Sequence, residues 1–247
     1  MKLNKGILLG GLFLALLASG AVYFLNFNNQ EPAVRNISSN KSERCVSVID
    51  ERKLLSGDII FQESKSRQSK TIQKVTGSRW SHMGIVVYRK SSWQVLEAVQ
   101  PVKITPLQNW IKRGKNCDFV VKRLKENLFK TEAELREEIM AKFKKYKGKS
   151  YDLLFQPGDD KIYCSELVEK IYARMGVSLG EWVPIGSLDL SSPEFEKLKN
   201  TRFKKIAKRQ SKGIDEVFEQ DYKSKLIVTP ISIFKDKQLA CIMGCSF

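Results

Sequence analysis

Tyr163-Cys164-Ser165-Glu166-Leu167-Val168 sets a cysteine at the first turn of an amphipathic helix. Leu167, Val168, Ile171, Tyr172 and Met175 follow at helical spacing, and Cys164 shares the face of Leu167, Val168, Ile171 and Met175. Its side chain is therefore expected to point into the protein. A helix N-terminus carries about half a positive charge and unpaired N–H groups. Both favour a thiolate over a thiol, so a cysteine there can be nucleophilic at neutral pH. A small buried hydrophobe that packs the helix on its neighbour fits the same pattern. These six residues leave both readings open.

The rest of the chain narrows the choice. Its 247 residues suffice for one medium domain with appendages, and 42% hydrophobic with 28% charged residues describes a globular protein. His82 is the single histidine, so no multi-histidine metal site can form. The cysteines are Cys45, Cys117, Cys164, Cys241 and Cys245, with no Cys-x-x-Cys pair for zinc. We therefore expect neither metal nor cofactor. The net charge of +16 favours contact with anionic polymers: nucleic acid, acidic lipid or acidic wall material.

Two lysines precede a run from Gly6 to Leu25 that is apolar or small throughout. This is the grammar of an export signal and also about the length of a membrane span. Ala18-Ser19-Gly20 offers a cleavage site, while Tyr23-Phe24-Leu25 carries the run past it. Residues 1–25 are thus read as a signal peptide or as an uncleaved anchor in the inner membrane. Either implies an exported protein, in the periplasm, for which nucleic acid is not an expected partner. In an oxidising compartment cysteines tend to pair. Two bridges among Cys45, Cys117, Cys241 and Cys245 would leave Cys164 free, with three possible connectivities.

Residues 26–50 read as a polar linker, 51–236 as the folded domain and 237–247 as a tail. Strands are predicted at Asp58 to Gln62, His82 to Tyr88, Trp93 to Val99, Asp118 to Leu124 and Lys225 to Thr229. Helices are predicted within Lys65 to Thr76, at Pro106 to Lys112, from the Thr131-Glu132-Ala133-Glu134 capping box to about Lys147, and from Ser192-Pro193 to Arg209. Val177 to Leu190 reads as a long loop and Asp215 to Ser224 as loose polar chain. If Lys90-Ser91 is a two-residue hairpin turn, His82 falls opposite Val99, and Glu97 projects from the same face as His82. Such diagonal neighbours lie about 7–8 Å apart, within reach of long side chains. A carboxylate there would fix the imidazole tautomer and stabilise its protonated form.

A cysteine at a helix start, the only histidine and an orienting carboxylate are the parts of a thiol nucleophile system. Five segments carry a resemblance: Gly57-Asp58-Ile59-Ile60-Phe61, Ser81-His82-Met83-Gly84, Leu96-Glu97-Ala98-Val99, Lys147-Gly148-Lys149-Ser150-Tyr151-Asp152 and Tyr163-Cys164-Ser165-Glu166-Leu167-Val168. In this order, over roughly Leu54 to Phe234, the chain resembles the YiiX family of circularly permuted papain-like amidohydrolases. These are relatives of NlpC-type cell-wall peptidases and of lecithin:retinol acyltransferase. The resemblance implies an α+β fold in which a central antiparallel sheet packs against helices. It implies Cys164 as nucleophile, His82 as general base and Glu97 as its orienting residue. It also implies an exported bacterial hydrolase acting on a peptide, amide or acyl substrate of the cell envelope.

Tyr163 is a candidate contact to oxyanion or substrate, or a packing residue. Asp58 reads better as a turn residue. Two alternatives stand beside the amidohydrolase. One is a lipid acyltransferase or esterase on the same fold. The other is a non-catalytic envelope-binding protein using the basic runs at Lys142 to Lys149 and Lys204 to Arg209.

Overall fold

The computed structural model describes residues 49–156 and 158–245, all within the second of the chain's two compact units, Ser39–Phe247. The apolar segment 6–25, most of the linker and Cys45 lie outside the described residues. Among the described residues no helix is long and apolar enough to cross a membrane.

Ten strands form in chain order: β1 (Ile59–Ser64), β2 (His82–Arg89), β3 (Ser92–Glu97), β4 (Lys103–Pro106), β5 (Gly114–Leu124), β6 (Ser150–Tyr151), β7 (Lys161–Ile162), β8 (Trp182–Pro184), β9 (Leu226–Val228) and β10 (Leu239–Met243). The helices are α1 (Ser69–Thr76), α2 (Leu107–Arg113), α3 (Glu132–Lys144), α4 (Cys164–Ala173), α5 (Pro193–Gln210), α6 (Ile214–Asp221) and α7 (Pro230–Phe234). Six strands make one antiparallel sheet in the order β10-β5-β1-β2-β3-β4. The fold is α+β, with helices on both faces of this sheet.

Two-sided burial explains why the central strands lack clean apolar–polar alternation. Phe61, Met83, Ile85 and Leu96 join Leu167, Val168 and Ile171 of α4 in the larger core. Ile60, Val86, Val95 and Val121 face Leu107, Trp110 and Ile111 of α2 in the smaller one. Helix α4 is thus held on one face and α2 on the other. Gly84 permits the close approach of β2 to β3, because a Cβ there would lie 2.5 Å from Val95 Cγ1 and 2.6 Å from the Leu96 carbonyl oxygen.

The β2–β3 turn has the two residues expected. Arg89 pairs with Ser92 and Ile85 with Leu96, so the register is the one counted from sequence. Lys90 (φ 51°) and Ser91 (φ 58°) are both left-handed, as a tight hairpin turn requires. The capping box at Thr131 and Glu134 opens α3, and Ser192 caps α5 by accepting from the Phe195 N–H at 3.2 Å.

Three expectations change. Residues 215–224 are not loose: α6 runs through them and buries Val217 and Phe218 against α5, an apolar pair the surrounding charges obscured. The long loop expected at 177–190 contains β8, which pairs with the strand expected at 225–229. The segment 237–247 is no mere tail. Its strand β10 completes the sheet edge beside β5, and Cys241 and Cys245 form a disulfide there. Cys117 is also disulfide-bonded, and among the described residues Cys164 is the free cysteine.

Left-handed backbone costs an ordinary L-residue about 1–2 kcal/mol relative to glycine. Ser91→Gly is therefore expected to raise stability by roughly 0.5–1 kcal/mol once glycine's greater unfolded-state entropy is set against it. Thermal unfolding would check this, and a lowered midpoint would contradict the turn geometry.

Candidate active site

The site is built where β2 and β3 meet the start of α4. His82 is the first residue of β2 and Glu97 the last of β3, so both stand at the same end of the sheet. The shared register puts them on one face, and His82 Nε2 donates to Glu97 Oε2 at 2.7 Å. The His82 ring also stacks on Trp110, with centroids 5.8 Å apart and planes at 25°. The diagonal pairing expected from the hairpin is therefore present as a direct bond.

Glu97 is fully buried and holds two further donors. Thr105 on β4 donates from its hydroxyl at 2.5 Å, and Arg113 at the end of α2 donates at 2.6 and 2.7 Å. Burial by itself raises a carboxyl pKa. Here the bond and charge of His82, the Thr105 hydroxyl and the Arg113 charge reverse that, and Glu97 is lowered to about 2. Thr105 and Arg113 escaped sequence analysis. Each lies outside the five quoted segments, and only the fold of β4 and α2 over β3 brings them to the carboxylate.

With Nε2 committed to Glu97, Nδ1 is the ring nitrogen left for Cys164. The two residues are close enough for each to shift the titration of the other. Burial disfavours the imidazolium, but the bonds and charges of Cys164 and Glu97 prevail, and the His82 pKa is raised from 6.5 to about 9. Burial likewise pushes the Cys164 thiol up. The His82 bond and charge, the Ser165 N–H and the Tyr151 hydroxyl overcome it and hold the thiol below its ordinary value. Both shifts act in the direction of a thiolate–imidazolium pair.

Tyr151, at the end of β6, is the participant that sequence analysis missed, although it lies in one of the quoted segments. Its hydroxyl is electrostatically coupled to Cys164 and accepts from Gln68 Nε2 at 2.9 Å. Burial and the Cys164 charge keep that hydroxyl protonated, with a pKa well above the ordinary value, so it remains a donor. Tyr163 is placed otherwise. Its hydroxyl accepts from the Val228 N–H at 3.1 Å, its ring meets Phe155 edge-on at 5.1 Å, and it lines the cavity beside Cys164. Asp58 is buried in a separate ion pair, receiving Arg123 at 2.6 and 2.8 Å and the Leu55 N–H at 2.9 Å.

Two cavities meet at this site. One is narrow, about 70 Å³, and is walled by Cys164 together with α1, α5 and the 185–190 segment. The other is an open cleft walled by His82, Gln62, Lys65, Lys112 and Arg113. Gln68 and Tyr151 line both.

Residues 53–243 match the model of the permuted papain-like amidase enzymes, YaeF/YiiX, C92 family. The chain belongs to this family. It is 37% identical over 187 residues to the uncharacterized protein YiiX of Escherichia coli strain K12, covering 75% of this chain and 84% of that one. The crystal structure of the metalloprotein yiiX from Escherichia coli O157:H7, DUF1105, superposes with a TM-score of 0.65 at 36% identity, over 78% of this chain and 98% of that one. The match extends past the expected domain end at 236 because β10 belongs to the sheet. Family membership supports a cysteine amidase-type hydrolase.

His82 is the single histidine, so its imidazole resonances need no assignment. Glu97→Gln is expected to lower the His82 pKa from about 9 toward the ordinary 6.5, read by NMR titration. A raised folded-state pKa favours folding below the unfolded value. The His82 contribution to stability is therefore complete below about 6.5 and lost as pH rises through about 9. That of Glu97, whose pKa is lowered, is present above 4.5 and lost as pH falls through about 2.

Proposed function

We propose that this protein is an exported thiol hydrolase that cleaves an amide or peptide bond in the cell envelope. The observation that carries the reading is the His82–Glu97 hydrogen bond at 2.7 Å beside the free thiol of Cys164 at the start of α4, to which His82 is electrostatically coupled. Cys164 is the nucleophile, His82 the proton carrier and Glu97 the group that orients it.

The thiolate of Cys164 attacks the carbonyl carbon, and negative charge moves to the carbonyl oxygen. The Cys164 backbone N–H, at the helix start, and the Tyr151 hydroxyl are the donors offered to that oxygen. As the C–N bond breaks, the His82 imidazolium gives its proton to the departing amine. The acyl group is left as a thioester on Cys164. Neutral His82 then takes a proton from water as its oxygen attacks the thioester carbonyl. The C–S bond breaks, the acid leaves, and the thiolate–imidazolium pair returns. Throughout, Glu97 stays ionised, fixed by Thr105 and Arg113.

The related E. coli structure is described as a metalloprotein. In this chain no three His, Cys, Asp or Glu side chains converge on a metal position among the described residues. The donor set therefore does not fit a metal centre, and no step is routed through one.

Export rests on the Lys-rich start and apolar run of residues 1–25, read as a signal peptide or an inner-membrane anchor. The Cys241–Cys245 bridge and the bonded Cys117 are in keeping with an oxidising compartment. A purely electrostatic binding role draws less support. Within the 142–149 run, Lys145 and Lys149 bond Asp159 and Lys142 pairs with Glu138 at 2.6 Å, so these cations are spent within the fold.

Cys164→Ala is expected to reduce amide hydrolysis of envelope peptides by about 10³-fold or more. The kcat/KM profile of the native protein should fall above about pH 9, as His82 loses its proton. Detection of newly formed termini by mass spectrometry across a pH series would measure both. Full turnover by Cys164→Ala would overturn the assignment.

A further inference from the structure

The two cavities divide the catalytic pair between them. Cys164 lines the narrow cavity and His82 does not; His82 lines the wide cleft and Cys164 does not. In thiol acyl transfer the halves of the substrate part in the same way. The acyl half stays on the sulfur, and the amine half leaves toward the imidazole that protonates it. The walls therefore report on what each half is.

The Cys164 cavity is apolar. Ile72 and Val75 of α1 face Phe195 and Leu198 of α5 across it, and Ile185 and Leu190 close another side. These side chains are half-buried or buried, yet they line a narrow cavity instead of filling it. The cationic side chain in this wall is Arg202, and it sits at the seam between the cavities. It donates to Gln68 Oε1 at 2.7 Å and stacks over Phe155 at 5.7 Å.

The His82 cleft has the opposite character. Lys65, Lys112 and Arg113 line it, and no carboxylate does among the described lining residues. Gln62, directly opposite His82 on β1, also lines the cleft, while its Oε1 is buried beside Gly114.

We infer that the substrate is an N-acylated amine with an aliphatic acyl arm and a polar, acidic amine half. The arm lies between α1 and α5 and remains there as the Cys164 thioester. The acidic half lies against Lys65 and Lys112 and departs with the His82 proton. This rests on the thiol hydrolase reading above and names its substrate class. It also gives α5 a purpose: its basic outer face is solvated, while Phe195, Leu198 and Arg202, spaced along one side, roof the acyl cavity.

Alkyl chloromethyl ketones test the acyl arm whatever the natural substrate is. The carbonyl stands in for the scissile one, the alkyl chain for the acyl arm, and the Cys164 thiolate displaces chloride. The rate of Cys164 alkylation, followed by mass spectrometry on the intact protein, is expected to rise with chain length. Each methylene that enters the cavity should contribute about fourfold until the cavity is full. Leu198→Trp and, on the opposing helix, Val75→Phe should each cut the ratio of ten-carbon to two-carbon rates by at least about tenfold.

The amine half is tested by turnover of N-decanoyl-glutamate against N-decanoyl-lysinamide. The glutamate compound is expected to have the lower KM, and Lys65→Glu with Lys112→Glu should reverse the order. Alkylation at Cys164 that ignores chain length would overturn the acyl assignment while leaving the thiol chemistry standing. Unchanged preference in the charge-reversed variant would overturn the amine assignment. No alkylation of Cys164 by any member of the series would overturn the hydrolase reading itself.

Discussion

A buried carboxylate organises this molecule. Glu97 has no exposed surface, and an isolated charge in such a place would cost several kcal/mol or neutralise itself. It does neither because His82, Thr105 and Arg113 all donate to it. These donors come from β2, β4 and α2, so one anion fixes three elements in relation to β3. The consequence passes to the sulfur. An imidazole held at Nε2 by an ionised carboxylate has its pKa raised, and its charge lowers that of the neighbouring thiol. The electrostatics of Cys164 are therefore set two residues away, inside the sheet.

The helix that carries Cys164 is held by different forces. Leu167, Val168 and Ile171 anchor α4 on the sheet through apolar burial, which fixes where the helix lies but not which way its first residue points. Polar ties at its start do that. The Ser165 hydroxyl donates to the Val228 carbonyl at 2.9 Å and the Tyr163 hydroxyl accepts the Val228 N–H, so β9 grips the first turn from both sides. The short β8–β9 pair, remote from the main sheet, thus serves as a clamp on the nucleophile. Tyr151 and Gln68 complete the enclosure and separate an apolar space from a basic one.

Much of this was legible without coordinates. The hairpin register followed from a two-residue turn and a side-chain period of two, so the His82–Glu97 partnership could be counted out. The helix at Cys164 followed from apolar spacing, and α5 from its Ser-Pro start. What escaped had identifiable causes. Helix α6 was hidden because Val217 and Phe218 are a small apolar pair among charges, and their burial depends on the Phe203 and Phe195 rings of α5. Strand β10 was hidden because an edge strand needs only one paired side, and its partner β5 lies more than a hundred residues earlier. The apolar stripe of α5 was masked by lysines and arginines on its other faces.

By itself the sequence determined the parts and their local geometry: a thiol at a helix N-terminus, the single histidine, and a carboxylate on the same strand face. Such features depend on neighbours a few residues apart, and periodicity reports those. Only the tertiary structure decided that His82 reaches the sulfur, that Thr105 and Arg113 hold the carboxylate ionised, and that Tyr151 joins the thiol. It also decided that an apolar cavity lined by Cys164 and a cleft lined by His82 and lysines lie side by side, sharing Gln68 and Tyr151. These are contacts between elements distant in the chain. Their energies arise from burial and from charge in a low-dielectric interior, which exists only once the sheet and its helices have closed around it.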